Sequence, residues 1–549
     1  MLERVSTPVA LVLAPTGVAI AWPGGSRVVT TDDPAQVIHE LAGSDPRWLW
    51  WSARTDAPAL LDAGVTPRTC WDLGAVARLL HGGSRDDPAA IWAAQHALAT
   101  PPRPQDEIDL LAHDDTGAAP VRDDGQLSRT WLSDGPGRSL DTALRWAELA
   151  VELQRQQADS LMALPDPRRA PRPPGLSTLT AHAESAAALL AVELSRDGLP
   201  VARAALGDLL RPIIGPPPVD DAHAESRRRA RDDVVRRLFP HSESVDLRNP
   251  AQVKEMLVRV GLDIPDTRSW RLEPHAATST PVAALLSWRR AERLATTYGW
   301  SWLDRHVGTD GRLRGEWSAA EGAGRMTASA GLHNMPAELR AGVCAEPGQV
   351  FVRADLGQVE PRVLAVVSGD DALAQAARDD DMYAPVAARL GCDRPTAKVA
   401  VLAAMYGQTS GTAGNALRQM ETAYPRALAY LRAAEEAGRT GQDLRTYGGR
   451  LLRMRAGWGR FARNAMVQGA AAELFKAWAA TVRVRLPAGA QIVLCLHDEL
   501  LVHAPADAAE EVAAVVSEAL ASTASWWAAG SGVRFVAEVS VGASWAAAH

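Results

Sequence analysis

Short apolar runs open the chain. Residues 9–13 and 18–22 are separated by Pro15-Thr16-Gly17, a spacing that predicts a β-hairpin. A helical pattern at 35–42 precedes another strand-like run at 47–51, and this alternation predicts a small α/β domain. Residues 141–164 keep a helical pattern up to Pro165, and the Arg/Pro-rich stretch 168–174 that follows marks a linker and the first domain boundary. Beyond it, 178–196, 201–210, 251–260 and 283–298 predict helices, the third announced by Asn249-Pro250. From about residue 322 the pattern changes. Strand signals at 350–354, 492–496 and 500–503 mix with alanine-rich helical stretches at 361–367, 396–406, 467–484 and 506–522, with no fixed-period repeat.

Composition narrows the class. With 549 residues, 47% hydrophobic and 22% charged, the chain is long and mixed enough for several globular domains, which excludes a disordered or fibrous protein. No run of about 18 uncharged apolar residues occurs. The first residues carry acidic Glu3 and no small-residue cleavage pattern, so neither a membrane span nor a signal peptide is expected, and the expected compartment is the cytoplasm. Cys70, Cys344, Cys392 and Cys495 form no CxxC pair and read as small buried hydrophobes, against a zinc site or a disulfide scaffold. A formal charge of -7 gives no global nucleic-acid signal. Local clusters do: Arg227, Arg228, Arg229, Arg231, Arg236 and Arg237 crowd one segment, and 445–463 holds six arginines, several glycines and no acid. The first fits a solvated helix face as well as a nucleic-acid contact; the second reads as a loop-rich basic surface.

Three constellations carry chemistry. In 350–362 a β-branched strand delivers Asp355 to its end, Gly357 permits a turn and Pro361 suits a helix start. Such an Asp can cap a helix or bind a hard cation. In 491–503 two apolar runs flank His497-Asp498-Glu499, so a tight hairpin would present two adjacent carboxylates at its tip, as a solvated turn or as cation ligands. In 394–407, four-residue steps place Arg394, Lys398, Leu402 and Tyr406 on one slowly rotating helix face ended by Gly407. That face is either a surface edge or a phosphate clamp, with Tyr406 turned toward a base. Taken together, two carboxylates from separate strands would hold two divalent cations about 4 Å apart while the basic helix grips a triphosphate, which describes phosphoryl transfer.

These residues resemble the family A DNA polymerases of the bacterial polymerase I type. Residues 355–362 are similar to that family's motif A, 394–407 to its motif B and 497–499 to its motif C. Ala323-Gly324-Arg325, 332–336, Gly449-Arg450 and 464–469 resemble its primer and template contacts. The resemblance implies a multidomain α/β and α+β chain. An RNase H-like 3′-5′ exonuclease-type domain at 1–165 and a linker at 166–174 would precede a right-hand polymerase at 175–549. Its thumb would lie at about 175–320, its palm at about 321–368 and 465–549, and its fingers at about 369–464. The implied metal ligands are Asp355, Asp498 and the carbonyl of Leu356, for two Mg2+ ions with Mn2+ as a substitute, and Glu499 lies nearby. Asp355, Asp498, Lys398 and Glu499 are the implied catalytic set. Arg394, Lys398, Leu402, Tyr406, Gln358, Glu360 and Tyr383 would bind the nucleotide, with Glu360 at the sugar gate. Arg325, Asn334, Arg460, Asn464, Gln468 and His497 would contact DNA. The implied partners are primer-template DNA and deoxynucleoside triphosphates, with no membrane, for a monomer of the bacterial cytoplasm associated with the nucleoid and serving repair or replication.

Several positions depart from the family pattern. Leu402 stands where an aromatic residue stacks on the nucleotide, Tyr383 stands where a phosphate-binding histidine is usual, and Gly357 and Pro361 differ within motif A. The amino-terminal domain resembles the family's exonuclease more weakly. Asp56 and Asp72 fall at plausible distances, but 9–13 and 18–22 contain no acid and Trp146-Ala147-Glu148 lacks the expected aspartate. The expectation is a degenerate domain without proofreading. A catalytically idle primer-template binder and an active exonuclease-polymerase are the alternatives.

Overall fold

The computed structural model describes residues 6–102, 119–133, 135, 137–407 and 412–548. Glu3, on which part of the reading of the chain start rests, lies outside the described residues. β1 (Pro8–Ala14), β2 (Gly17–Trp22) and β3 (Gly25–Thr30) form an antiparallel meander, and β1 also pairs in parallel with β4 (Arg47–Trp50), which pairs in parallel with β5 (Thr69–Asp72). The sheet order is β3-β2-β1-β4-β5. The predicted hairpin and β4 are present. β3 was not expected, because its sequence GSRVVT is polar and half exposed, as an edge strand can be. At the tight turn Gly17 has φ +152, and a Cβ there would stand 2.0 Å from the carbonyl oxygen of Val29.

Helices cover this sheet. α1 (Ala53–Asp62) and α2 (Leu73–His81) follow β4 and β5. α3 (Leu140–Met162) starts at a Ser139/Thr142 capping box and buries Ala143, Trp146, Ala147, Ala150, Leu153 and Leu161 at helical spacing against β1 and β2. α4 (Leu176–Asp197) is buried on both sides, because it packs against the N-terminal sheet and helices and also against the carboxy-terminal region. The stretch 168–174 between α3 and α4 is held down. The Arg168 guanidinium donates to Asp166 and to the carbonyls of Trp526, Arg172 and Pro174, and Arg172 lies 3.7 Å over the Trp526 ring.

α5 (Asp221–Arg236), α6 (Pro250–Arg259) and α7 (Thr280–Thr297) enclose a small core around Val235, Leu257, Leu285 and Trp288. Here the first arginine cluster is partly internal wiring. Arg228 and Arg231 pair with Glu292, Arg236 pairs with Asp232, and Arg248 bridges both acids.

The third region is built on an antiparallel sheet of β6 (Gln349–Leu356), β7 (Gln491–Cys495), β8 (Glu499–Pro505) and β9 (Ala537–Gly542), in the order β7-β8-β6-β9. α8 (Val359–Ser368), α9 (Tyr383–Leu390), α10 (Arg394–Tyr406), α11 (Pro425–Thr440), α12 (Gly459–Arg485) and α13 (Ala509–Trp527) complete it. α13 packs on the sheet, and α12 runs between α4, α8, α11 and α13. The fully buried Trp478 of α12 donates its indole N–H to the Val516 carbonyl of α13 at 3.0 Å. Among the described residues no helix is long and apolar enough to cross a membrane. One expectation needs correction: Cys70 and Cys495 are buried within strands, but Cys344 and Cys392, which lie in connections between elements, are only partly so.

Candidate active site

β6 delivers Asp355 to the end of the sheet, where the register sets it opposite Glu499 of β8 and Glu538 of β9. The backbone N–H of Leu356 donates to the Asp498 carbonyl at 2.8 Å, tying the β7–β8 hairpin tip to the end of β6. Asp355 and Asp498, distant in sequence, therefore share one strand-end cleft. Lost hydration lifts the Asp498 carboxyl to about 6, helped by the charges of Asp355, Glu499 and Glu360. Asp355 is also raised: burial drives the shift, Arg353 opposes it, and Glu499 and Glu538 add to it. Mutually repelling hard oxygen ligands at an open strand end fit divalent cations of the magnesium type. Among the described residues no group of three or more His, Cys, Asp and Glu side chains is arranged around a metal position, so the fit rests on these two carboxylates and nearby backbone carbonyls.

The hairpin tip differs from the expected pair of adjacent carboxylates. Asp498 lies in the turn itself, whereas Glu499 is the first residue of β8 and its side chain is turned in. Glu499 is 5% exposed; its oxygens meet Arg353 at 2.9 and 3.2 Å and the indole N–H of Trp545.

α10 borders the same cleft. Asp393 caps it through the Thr396 N–H at 2.8 Å, Pro395 occupies its first turn, and Gly407 ends it at φ +66. Ala397, Ala400, Val401 and Ala404 are buried, Arg394 and Lys398 are exposed, and Leu402 and Tyr406 lie half-buried, as the four-residue steps require. Both ends are fastened to the segment that follows Asp355. Arg394 donates to Asp381 at 2.6 Å, and Asp381 accepts at 3.0 Å from Gln358, which sits at φ +56 and accepts the Met382 N–H. At the other end the Tyr406 hydroxyl donates to Glu360 at 2.7 Å, and Arg325 stands 3.5 Å from the same carboxylate. Burial and Glu360 push the Tyr406 phenol up to about 12. Tyr383 lies buried beneath this belt, its ring centroid 5.7 Å from the Arg394 guanidinium. Asp381 is a site residue that the sequence did not single out. Its available signal was the acidic run Asp379-Asp380-Asp381 just before Tyr383.

The remaining predicted contacts divide. The His497 ring lies 5.3 Å from that of His333, and burial, with Arg325 assisting, lowers its proton affinity. On α12, Gln468 faces Tyr406, and Asn464 carries a buried Oδ1 without a hydrogen-bond partner among the described residues. Arg460 and Asn334 are exposed and, among the described residues, no side-chain hydrogen bond joins them to this belt. The expected basic surface at 445–463 is smaller than its sequence implied. Arg450 is buried against Glu184 at 2.6 Å, and Arg463 is buried against Glu435 and the Ala404 and Met405 carbonyls at the end of α10. Arg445, Arg453, Arg455 and Arg460 are the exposed members.

The sequence model for DNA polymerase family A matches residues 224–547, more than half of the chain, across every element of this cleft. The chain belongs to DNA polymerase family A. Its family A relatives include the thermostable DNA polymerase I of Thermus filiformis, 31% identical over 284 residues, which are 44% of this chain and 34% of that protein. DNA polymerase I of Chloroflexus aurantiacus is 31% identical over 288 residues, 44% of this chain and 30% of the relative. The matches thus span about a third of these curated relatives' length. A solved structure of the POL domain of Pol1 from M. smegmatis, in complex with DNA primer-template and dNTP, shares the fold with TM-score 0.68 at 20% identity, covering 100% of this chain and 96% of that one.

Outside the family A match, Asp56 and Asp72 of the N-terminal region accept local hydrogen bonds. Asp72 caps α2 through the Ala75 N–H at 2.7 Å and accepts the Ala53 N–H at 2.6 Å. Asp56 accepts the Trp51 and Ser52 N–H groups at 3.1 and 3.4 Å and the Thr55 hydroxyl at 2.9 Å. Burial raises both carboxyls, Asp72 to about 6. Trp146, near the third expected acidic position, stacks on Trp51 with centroids 4.6 Å apart.

Proposed function

We propose that this family A chain is a DNA-templated DNA polymerase that adds deoxynucleotides to a primer 3′-hydroxyl by two-metal-ion phosphoryl transfer, without proofreading, in bacterial repair or replication. In this reading residues 175–549 form the thumb, palm and fingers with the boundaries given above, and 1–165 form a degenerate exonuclease-like domain. One observation carries it: Asp355 and Asp498 meet at one strand end, beside a helix whose outer edge bears Arg394 and Lys398. The names of the curated relatives and the DNA and dNTP in the M. smegmatis complex are consistent with it.

Asp355, Asp498 and the Leu356 carbonyl would hold two divalent ions, Mg2+ or in its place Mn2+. When bound, the ions supply positive charge to the deprotonating 3′-hydroxyl and the departing pyrophosphate. Lys398 and Arg394 neutralise the β- and γ-phosphates, for which Arg394 exchanges Asp381 for phosphate oxygens. The new bond joins the 3′-oxygen to the α-phosphorus as the bond to pyrophosphate breaks. Glu360, steadied by Tyr406, lies where a ribose 2′-hydroxyl would press, and Tyr406 closes the template-base side. The DNA-facing set is Arg325, His497, Asn464, Gln468, Arg460 and Asn334, and it reads backbone and shape while pairing supplies sequence.

The test is extension of a labelled primer with deoxynucleotides and magnesium. Extension by the wild type that is lost in Asp355→Ala supports the proposal; an inert wild type overturns it in favour of a primer-template binder. Leu402 supplies no π face to the incoming base, so Leu402→Phe is expected to lower the nucleotide KM by about tenfold in single-nucleotide incorporation assays, since base stacking is worth roughly 1–3 kcal/mol. The capping role of Asp72 and the local hydrogen bonds that occupy Asp56 predict that single-stranded DNA stays intact with magnesium or manganese, and that Asp56→Ala changes nothing in that gel assay.

A further inference from the structure

Arg353 lies two residues before Asp355 on β6, on the same face of the strand. It interrupts the buried run Phe351, Val352 and Ala354 and is itself only 6% exposed. A charge in such a place is costly unless opposite charge meets it. Two carboxylates do. Nη2 donates to Asp355 Oδ2 at 2.7 Å and to Glu499 Oε2 at 3.2 Å, and Nε stands 2.9 Å from Glu499 Oε1. Trp545 holds Glu499 from another side through its indole N–H. With Glu499 committed in this way, the cleft offers a cation the Asp498 carboxylate and the Asp355 oxygen that Arg353 leaves open.

We propose that Arg353 is a positioning residue acting as a resident counter-cation, which orients the Asp355 carboxylate in the free enzyme and lowers the affinity of the strand-end site for divalent metal. The physical cause is direct: a fixed positive charge bonded to one oxygen of a ligand carboxylate repels a cation approaching the other oxygen, and the partly buried setting screens that repulsion weakly. Glu499 offsets part of the charge and fixes the guanidinium plane, so the arginine cannot swing away without leaving a buried carboxylate unpaired. This inference rests on the metal-centre reading of Asp355 and Asp498.

Mn2+ is the probe, with free ion measured by electron paramagnetic resonance as the full chain is titrated without DNA or nucleotide. Wild-type binding is expected to vanish in Asp355→Ala and in Asp498→Ala. Arg353→Met is expected to bind Mn2+ about tenfold tighter than wild type, as loss of a neighbouring like charge predicts. Should Arg353→Met fail to fold because Glu499 is stranded, the comparison moves to R353M/E499Q against E499Q, where the same tightening is expected. A folded variant with unchanged or weaker affinity overturns the inference, because a purely structural arginine would not tighten metal binding when removed. If Mn2+ binds through Asp355 and Asp498 but ignores Arg353, only this inference falls. If no variant binds Mn2+ through those acids, the metal-centre reading falls with it.

Discussion

Asp498→Asn is expected to cut primer extension by on the order of a thousandfold or more while making the metal-free chain harder to unfold at pH 8. The first effect follows from the proposed role, since removing one of two carboxylates that gather cations takes away several kcal/mol of transition-state stabilisation. The second follows from the electrostatics. Asp498 has its carboxyl pushed up to about 6 by lost hydration and by Asp355, Glu499 and Glu360, against about 3.9 in an unfolded chain. Between those values the folded state binds the extra proton, so this group's contribution to stability falls as pH rises from about 4 through about 6. Above that window the ionised carboxylate opposes folding, and asparagine relieves it; below pH 4 the two proteins converge. Urea unfolding in EDTA at pH 4 and pH 8 measures this. A variant that is inactive and less stable at pH 8 would mean that Asp498 is held by favourable contacts and does not stand in repulsion awaiting a cation.

The same cleft separates what the sequence announces from what it hides. Asp355 and Asp498 were legible because each stands at the end of an apolar run, where a strand must stop and a charge has somewhere to point. The helix face at 394, 398, 402 and 406 was legible from spacing alone, and its exposure follows that order. Glu499 was misread as a tip residue because its inward partner, Arg353, looks in sequence like a polar interruption of a strand. Only the register of β6 against β8 makes the two a pair. Asp381 stayed hidden among consecutive acids, since nothing local says which member turns toward Arg394. The stretch 445–463 misled in the other direction: Arg450 and Arg463 find partners on α4 and α11, far away in the chain, and leave the surface.

Arg450 belongs to a buried charge network that sets the second large effect. Glu184 of α4 is 2% exposed and meets Arg450 at 2.6 Å and Lys476 of α12 at 2.9 Å, while Lys476 also donates to the Ala319 carbonyl at 3.0 Å. Burial alone would lift the Glu184 carboxyl, but Arg450 and Lys476 together hold it below the usual carboxylate range. Burial presses Lys476 down to about 8, against the pull of Glu184. Glu473, one turn earlier on α12, accepts from Thr446 and from the Gly448 N–H at 2.8 Å, so the network pins α12, which carries Asn464 and Gln468, to α4 and to the loop before Arg450. Glu184→Leu would leave two buried cations facing each other without their anion. It is expected to lower the unfolding free energy by about 3–5 kcal/mol, read from chemical denaturation. The triple variant E184L/R450M/K476M removes Glu184 together with both of its cations, leaves Glu473 on its Thr446 and Gly448 hydrogen bonds, and is expected to regain most of that loss, because the cost of the single variant is the uncompensated charge and not a lost net attraction. If the triple variant is no more stable than Glu184→Leu, the contribution of these residues is shape and hydrogen bonding, and α12 is held by packing around Trp478 instead.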